Sequence, residues 1–234
     1  MTTNQQLPLH KEQDLSSIQL KTLEAYPTFQ GFMTDYKPEQ LLVVYEDVRT
    51  IIKSVSCIRL SLSDVATLYD NNTRKAGLKY ISDWLDFVNR FSNINKPLTE
   101  ISTVAYMIYI RFNHFYFSDL KIIFEKLMCG EFGSFYGSVD AQRILTSFTQ
   151  YDQERKQTIY RLKQNQENFI KQQMDALYNE ADSRAFEEYS GKNLDYREIA
   201  QIRDKYRQEV DAVSKEKMEN YRQLFIDKLK ERMK

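Results

Sequence analysis

The sequence predicts an all-α protein: a compact helical domain followed by a long C-terminal helical hairpin or coiled-coil arm. Apolar residues recur at three- and four-residue spacings through most of the chain, which is typical of helices with one buried face. All four prolines lie before Leu98, and only Gly191 follows Gly137 among the glycines. The second half therefore lacks the residues that break helices.

We expect three regions. Residues 1–14 are polar and rich in Thr, Asn and Gln, which is typical of a disordered tail. Residues 15–155 carry the helical domain. Residues 156–234 form the arm.

The helical domain begins with short elements. A short helix is expected over 15–26, followed by a loop over 28–37. Pro38 suits a first helical turn, and the apolar spacing after it predicts one helix that continues to Val55. The alternation of residues 57–62 leaves a short strand open as an alternative.

Two further helices precede the centre of the chain. The first is predicted over 73–91. The second is predicted over 101–113, with Thr99 and Glu100 as its cap. Because 101–113 is rich in aromatic and β-branched residues, a strand remains an alternative there.

The best-specified part of the sequence is a pair of helices around a tight turn. Ser118 is a natural N-cap and Asp119 places negative charge at the positive helix end. Gly130 stands where a left-handed residue would end this helix, and Ser138 and Asp140 begin the next one. The apolar stripe of the first helix is Leu120, Ile123, Phe124, Leu127 and Met128.

The turn between these helices, residues 130–140, is here called the connector. Glycines and aromatic residues alternate in it, and Arg143 follows closely. One interpretation is a structural corner with its aromatic rings packed inward; the other is an exposed recognition loop held by rigid elements. A phosphate cradle is disfavoured, because the glycines follow a helix and no Lys-Ser/Thr pair comes after them. The predicted partner-binding residues are Gly130, Phe132, Gly133, Phe135, Tyr136, Asp140 and Arg143.

The C-terminal arm follows from a helical pattern that continues from the connector to about Asp182. Residues 190–193 interrupt it, and the pattern resumes from Ile199 towards Met233. Polar residues interrupt both apolar seams, so the pattern indicates a helical hairpin or antiparallel coiled coil rather than a leucine zipper. The seams can pair within one chain or between the chains of an oligomer.

Composition excludes several classes of protein. The 33 basic and 33 acidic residues cancel, so no overall field attracts nucleic acid or membrane. Cys57 and Cys129 suit reduced core thiols of a cytosolic protein. His10 and His114 have no metal-ligand spacing around them, and no catalytic motif occurs. We expect no cofactor, no enzymatic activity, no signal peptide and no membrane span.

Basic residues near the arm have two interpretations. Positive charge interleaved with tyrosines can bind single-stranded nucleic acid. The same charges can belong to a solvated helix face or complement the dipole at the C-terminal helix end. The candidate nucleic-acid contacts are Arg155, Lys156, Arg161, Lys228, Lys230 and Arg232.

Several short motifs within residues 73–155 resemble those of a known family of proteins. The run D-L-K from Asp119, the connector sequence G-E-F-G-S-F-Y-G, then Asp140, Tyr151 and Arg155 resemble a poorly characterised family of phage and mobile-element proteins of Bacteroidetes. The chain departs from that pattern at three positions, which are Cys129, Phe132 and Ala141.

The resemblance implies a protein of the bacterial cytoplasm associated with DNA replication, such as a helicase-loader-like adaptor. It would act through a replication protein and single-stranded DNA. A structural or virion-associated assembly protein is the alternative, with oligomers formed through the C-terminal helices.

Overall fold

The computed structural model describes residues 15–55, 57, 60–70 and 74–232. These residues form helices and isolated bridges but no strand, which confirms the all-α prediction. The predicted tail over 1–14 lies outside the described residues. The helices are α1 (Ser17–Ala25), α2 (Phe29–Tyr36), α3 (Pro38–Val44), α4 (Ile51–Val55), α5 (Leu62–Asp70), α6 (Lys75–Ser92), α7 (Ile101–Phe112), α8 (Phe117–Met128), α9 (Ala141–Tyr189) and α10 (Tyr196–Arg232).

The described residues divide into two compact units, one up to Lys156 and one from Gln157. The first contains α1 to α8 and the beginning of α9. The second contains the remainder of α9 together with α10.

Residues 28–37, predicted to be a loop, contain the helix α2. The Thr28 hydroxyl caps this helix by accepting the Gly31 amide at 3.1 Å. The Phe32 ring is buried, and it stacks on Tyr36 with ring centroids 4.4 Å apart and meets Phe117 edge to face. Burial of this aromatic face stabilises a helix too short to form alone.

The single helix predicted from Pro38 to Val55 is in fact two helices, α3 and α4. The break includes the buried Val48, whose amide donates to the Tyr45 carbonyl at 2.9 Å. The carbonyl of Val48 accepts from the Lys121 ammonium at 3.2 Å. This lysine is buried and needs hydrogen-bond acceptors. The chain therefore forms a turn that presents the Val48 carbonyl to it, and the predicted helix is interrupted there.

The strand alternative at 57–62 is not observed in the described part of that segment. Ser61 forms only an isolated antiparallel bridge to Tyr116, and α5 already begins at Leu62. The Asp64 carboxylate accepts the Ser61 amide at 2.7 Å, while the Ser61 hydroxyl accepts the Asp64 amide at 3.2 Å. This reciprocal cap favours the helix.

Helices α6 and α7 pack against each other in the first unit. Ile101–Phe112 is helical throughout, so the strand alternative is wrong. The N-cap is Glu100, as predicted, but its side chain makes no capping hydrogen bond. Asn89 of α6 fixes the approach to α7, because its side chain accepts the Leu98 amide at 2.8 Å and donates to the Leu98 carbonyl at 3.0 Å.

The core of the first unit is aromatic and is centred on α8. Phe124 stacks flat on Trp84 of α6 with ring centroids 4.6 Å apart, and Phe148 of α9 meets Phe124 edge to face at 5.5 Å. These rings and their aliphatic neighbours are buried. Helix α8 therefore lies at the centre of the unit, and its C-terminal end leads directly into the connector.

The second unit is an antiparallel helical hairpin. The Arg207 guanidinium binds both carboxylate oxygens of Asp182, at 2.9 and 2.8 Å, and the Tyr206 hydroxyl donates to Glu188 at 2.7 Å. Further along, Phe169 contacts Phe225. The seam predicted from the sequence therefore pairs α9 with α10 of the same chain.

Candidate protein-binding site

The connector begins with a helix stop that the sequence predicts correctly. The Glu131 amide donates to the Lys126 carbonyl at 2.9 Å, and the Gly130 amide donates to the Leu127 carbonyl at 3.2 Å. This pair of bonds is the Schellman motif. Gly130 has a φ of +79°, a left-handed conformation that costs glycine little.

Gly133 provides the second sharp bend. Its φ is +93°, and a Cβ added there would lie 3.3 Å from a guanidinium nitrogen of Arg143. That guanidinium crosses the connector and donates to the Ser134 carbonyl. Arg143 therefore fastens the turn to α9.

The end of the connector is fixed by a helix cap and by the loop before α7. The Asp140 carboxylate accepts the Gln142 amide at 2.8 Å, which caps α9. One residue earlier, the amide of the buried Val139 donates to the Lys96 carbonyl at 2.9 Å. The backbone of the connector is therefore held at both ends.

The aromatic residues of the connector divide between the two interpretations that the sequence allows. Phe132 and Phe135 are half-buried and pack against the core, as expected of a structural corner. The Lys126 ammonium lies 5.9 Å from the centroid of the Phe132 ring. Tyr136 points the other way: 84% of its surface is exposed, as expected of a recognition loop.

A shallow groove of about 280 Å³ adjoins the connector. It brings together three of the predicted residues, Phe132, Asp140 and Arg143, with side chains from the first turns of α9. The additional lining residues are Gln142, Thr146, Ser147 and Gln150. An aromatic wall, amide groups and a guanidinium suit contact with a peptide surface.

Sequence reasoning missed a buried polar cluster below this surface. Asp119 is completely buried, and its carboxylate accepts from the Arg155 guanidinium at 2.9 Å, the Tyr151 hydroxyl at 2.8 Å and the Ser54 hydroxyl at 2.7 Å. It also accepts the Tyr116 amide at 3.0 Å. Burial and the nearby Asp119 charge raise the pKa of Tyr151. Asp119, Tyr151 and Arg155 all belong to the motifs of the resemblance. Tyr151 and Arg155 lie 32 and 36 residues from Asp119, so only the fold shows that they contact it.

Two expectations for neighbouring residues are wrong. Ser118 does not cap α8: the N-cap is Tyr116, and the Ser118 hydroxyl is buried 2.8 Å from that of Ser54. Cys129 is exposed, not a core thiol. Its position at the helix C-cap turns it out of the stripe that buries Leu127.

His114 is neither buried nor part of a metal cluster among the described residues. Its ring lies edge-on to Phe115, and its Nε2 atom is 3.4 Å from an Asp152 oxygen.

The predicted nucleic-acid contacts divide between the two units. Arg155 is buried against Asp119 and lies over the Tyr116 ring, which does not suit the predicted phosphate contact. Lys156 is exposed and paired with Asp152 at 2.6 Å. In the second unit, Arg161 is exposed, Lys228 lies over Phe169, and Lys230 is 3.9 Å from Asp227. Arg232 is the last residue of α10.

Within the described part of the chain, no helix is both long and apolar enough to cross a membrane.

Residues 95–199 match the model of a family of unknown function (DUF6633). This range contains α7, α8, the connector and all of α9. No curated protein and no solved structure matches the chain. The resemblance to phage and mobile-element proteins therefore stays a prediction.

Proposed function

We propose that this protein is a non-enzymatic adaptor that binds a protein partner through the connector and the adjoining groove. The observation that carries the proposal is the exposed Tyr136 ring on a backbone fixed at both ends. Tyrosine is enriched among the residues that dominate protein–protein binding energy. An exposed aromatic side chain on a rigid loop suits that role.

Rigidity supports the proposal because binding normally loses free energy to the ordering of flexible groups. Gly130 and Gly133 set the bends, Arg143 ties the Ser134 carbonyl to α9, and Asp140 caps the following helix. The connector therefore has little conformational freedom to lose on binding. The half-buried Phe132 forms one wall of the groove beside it.

Affinity purification of the tagged chain, followed by quantitative mass spectrometry, tests this role. The test variant is Tyr136→Ala and the matched control is Tyr196→Ala, because Tyr196 is 86% exposed and lies in the second unit. We expect the first variant to reduce recovery of a partner about tenfold or more, as for a hot-spot residue. Equal recovery with both variants would contradict the proposal.

Within this proposal, the partner is a replication protein, such as a replicative helicase, in a bacterial cytoplasm. Single-stranded DNA is a further ligand, with the exposed Arg161 and Lys228 of the second unit as its candidate contacts. The implied setting rests on the resemblance of residues 73–155. Identification of the recovered partner, and binding of labelled single-stranded DNA at low salt, test these two parts separately.

A structural or virion-associated assembly role is the second candidate. Exposed apolar side chains on the hairpin favour it, including Phe186 of α9 and Val213 of α10. Aromatic and aliphatic groups of this kind supply assembly contacts. Mass spectrometry of purified particles separates the two roles, since a stoichiometric particle component would support assembly.

A further inference from the structure

Helix α7 presents a second surface, which is apolar and separate from the connector. Its buried face packs on the core through Val104, Ala105, Ile108 and Phe112. Its outer face carries a row at i, i+3, i+4 and i+7, here called the α7 stripe: Thr103, Tyr106, Met107 and Ile110. The last three are 48%, 45% and 48% exposed. Single exposed apolar residues are ordinary, but a row at helical spacing is typical of a contact surface.

Two opposite charges flank the α7 stripe. Glu100, the N-cap, and Arg111, in the last turn, are both exposed. Neither forms an ion pair with another described residue; Arg111 contacts the Phe112 ring at 5.3 Å and the Thr149 hydroxyl at 3.5 Å. At about 100° per residue, both lie roughly 70–90° round the helix from the centre of the stripe, on the same side.

We propose that α7 pairs antiparallel with α7 of a second copy of this chain about a twofold axis. Such an axis reverses the helix direction but keeps the same flank of both helices together. Glu100 of each copy then faces Arg111 of the other. At a rise of about 1.5 Å per residue, their positions along the helix axis differ by about 3 Å. Met107 and Tyr106 meet their own counterparts at the centre.

This charge pattern favours a second copy of the chain as the partner of the α7 stripe. An unrelated partner would need its own acidic and basic residues at matching positions, whereas the α7 stripe is complementary to itself. A stable dimer usually buries about 800 Å² on each side, and a single helical stripe contributes only part of that area. The dimer is therefore weak, and its population depends on concentration.

Sedimentation velocity of the full chain over a range of concentrations tests the pairing. Glu100→Arg places two arginines opposite each other, and Arg111→Glu places two glutamates opposite each other. Like charges across an interface are strongly unfavourable, so we expect each variant alone to self-associate about tenfold or more weakly. Circular dichroism verifies that both variants fold.

Mixing the two variants provides the decisive arm of the experiment. In a mixed antiparallel pair, both contacts join an arginine to a glutamate, so the heterodimer is expected to recover the association of the original chain. Tagging one variant and measuring its co-sedimentation with the other detects this. A monomer at every concentration, or a dimer insensitive to both variants, would overturn the proposal, and so would a mixture that remains monomeric.

The apolar centre has its own test. Met107→Glu places two carboxylates together at the twofold axis and should abolish self-association. The control is Val43→Glu, because Val43 is exposed in the same unit at the end of α3. Equal effects of these two substitutions would show that the α7 stripe is not the interface.

Discussion

Asp119 is a fully buried carboxylate at the centre of the polar cluster in the first unit. A buried carboxylate is costly unless it is paired and hydrogen-bonded, and Asp119 has the Arg155 guanidinium and two hydroxyl donors. Arg155 lies on α9, Asp119 on α8 and Ser54 on α4. The cluster therefore joins three helices through directional, charge-assisted hydrogen bonds.

We expect Asp119→Ala to lower the free energy of unfolding by about 3–5 kcal/mol, because Arg155 would be left as a buried, uncompensated charge. The control is Lys156→Ala, which removes an exposed pair with Asp152 one turn away and should cost less than about 1 kcal/mol. Chemical denaturation followed by circular dichroism measures both. Equal losses would show that the Asp119 cluster has no special weight.

Gly133 is the second residue whose identity matters. Alanine there would adopt an unfavourable left-handed conformation and also press on the Arg143 guanidinium. We expect Gly133→Ala to cost about 1–3 kcal/mol. Gly137→Ala is the comparison, because Gly137 has a φ of +72° but open space around it. Gly137→Ala should therefore lower the free energy of unfolding less than Gly133→Ala. The reverse order in denaturation experiments would show that the Arg143 guanidinium does not restrict the space at Gly133.

At the scale of elements, the central pair of helices is the part that the sequence predicts best. The stripe of α8, the stop at Gly130 and the cap at Asp140 are local features, and each is found. The predictions are wrong where contacts with residues distant in sequence determine the local structure. Residues 28–37 become a helix because Phe117 covers Phe32, and the helix after Pro38 breaks where the buried Lys121 takes the Val48 carbonyl.

In the candidate site, too, features set by local sequence were predicted and features set by distant contacts were not. The backbone bends of the connector depend on its own glycines, so the sequence indicates them. The inward packing of Phe132 and the outward position of Tyr136 depend on the surface of the core, which no local pattern describes. Arginine is typical of surface contacts, but Arg155 is buried because it pairs with Asp119, 36 residues earlier in the chain.

The hairpin of α9 and α10 should lose stability in acid. The Arg207 hydrogen bonds lower the pKa of Asp182, and the Tyr206 hydroxyl, followed by Lys205, lowers the pKa of Glu188. A lowered pKa stabilises the folded state above the ordinary carboxyl pKa of about 4, and this contribution is lost as the pH falls through the lowered values.

Thermal unfolding followed by circular dichroism from pH 7 to pH 2.5 tests this. Asp182→Asn combined with Glu188→Gln should make the curve less steep on the acid side. Asp175→Asn is the control, since Asp175 is an exposed α9 carboxylate without an ion pair among the described residues. If that control flattens the acid limb as much as the double variant, the two interhelical contacts do not cause the pH dependence.

At the scale of the whole molecule, the chain combines an aromatic helical unit with a charged helical hairpin. The first unit presents two different surfaces, the connector with its groove and the α7 stripe. We assign the first to a different protein and the second to a copy of the same chain. These assignments are independent, because substitutions at Tyr136 and at Glu100 test them separately.

Site-specific photocrosslinking in the cell shows most directly whether position 136 contacts a protein partner. A photoreactive phenylalanine analogue replaces Tyr136 in one chain and Tyr196 in another, which keeps exposure and side-chain type matched. We expect a defined covalent adduct with one protein partner from position 136 and none from position 196. Absence of an adduct at 136, or the same adducts from both positions, would contradict it.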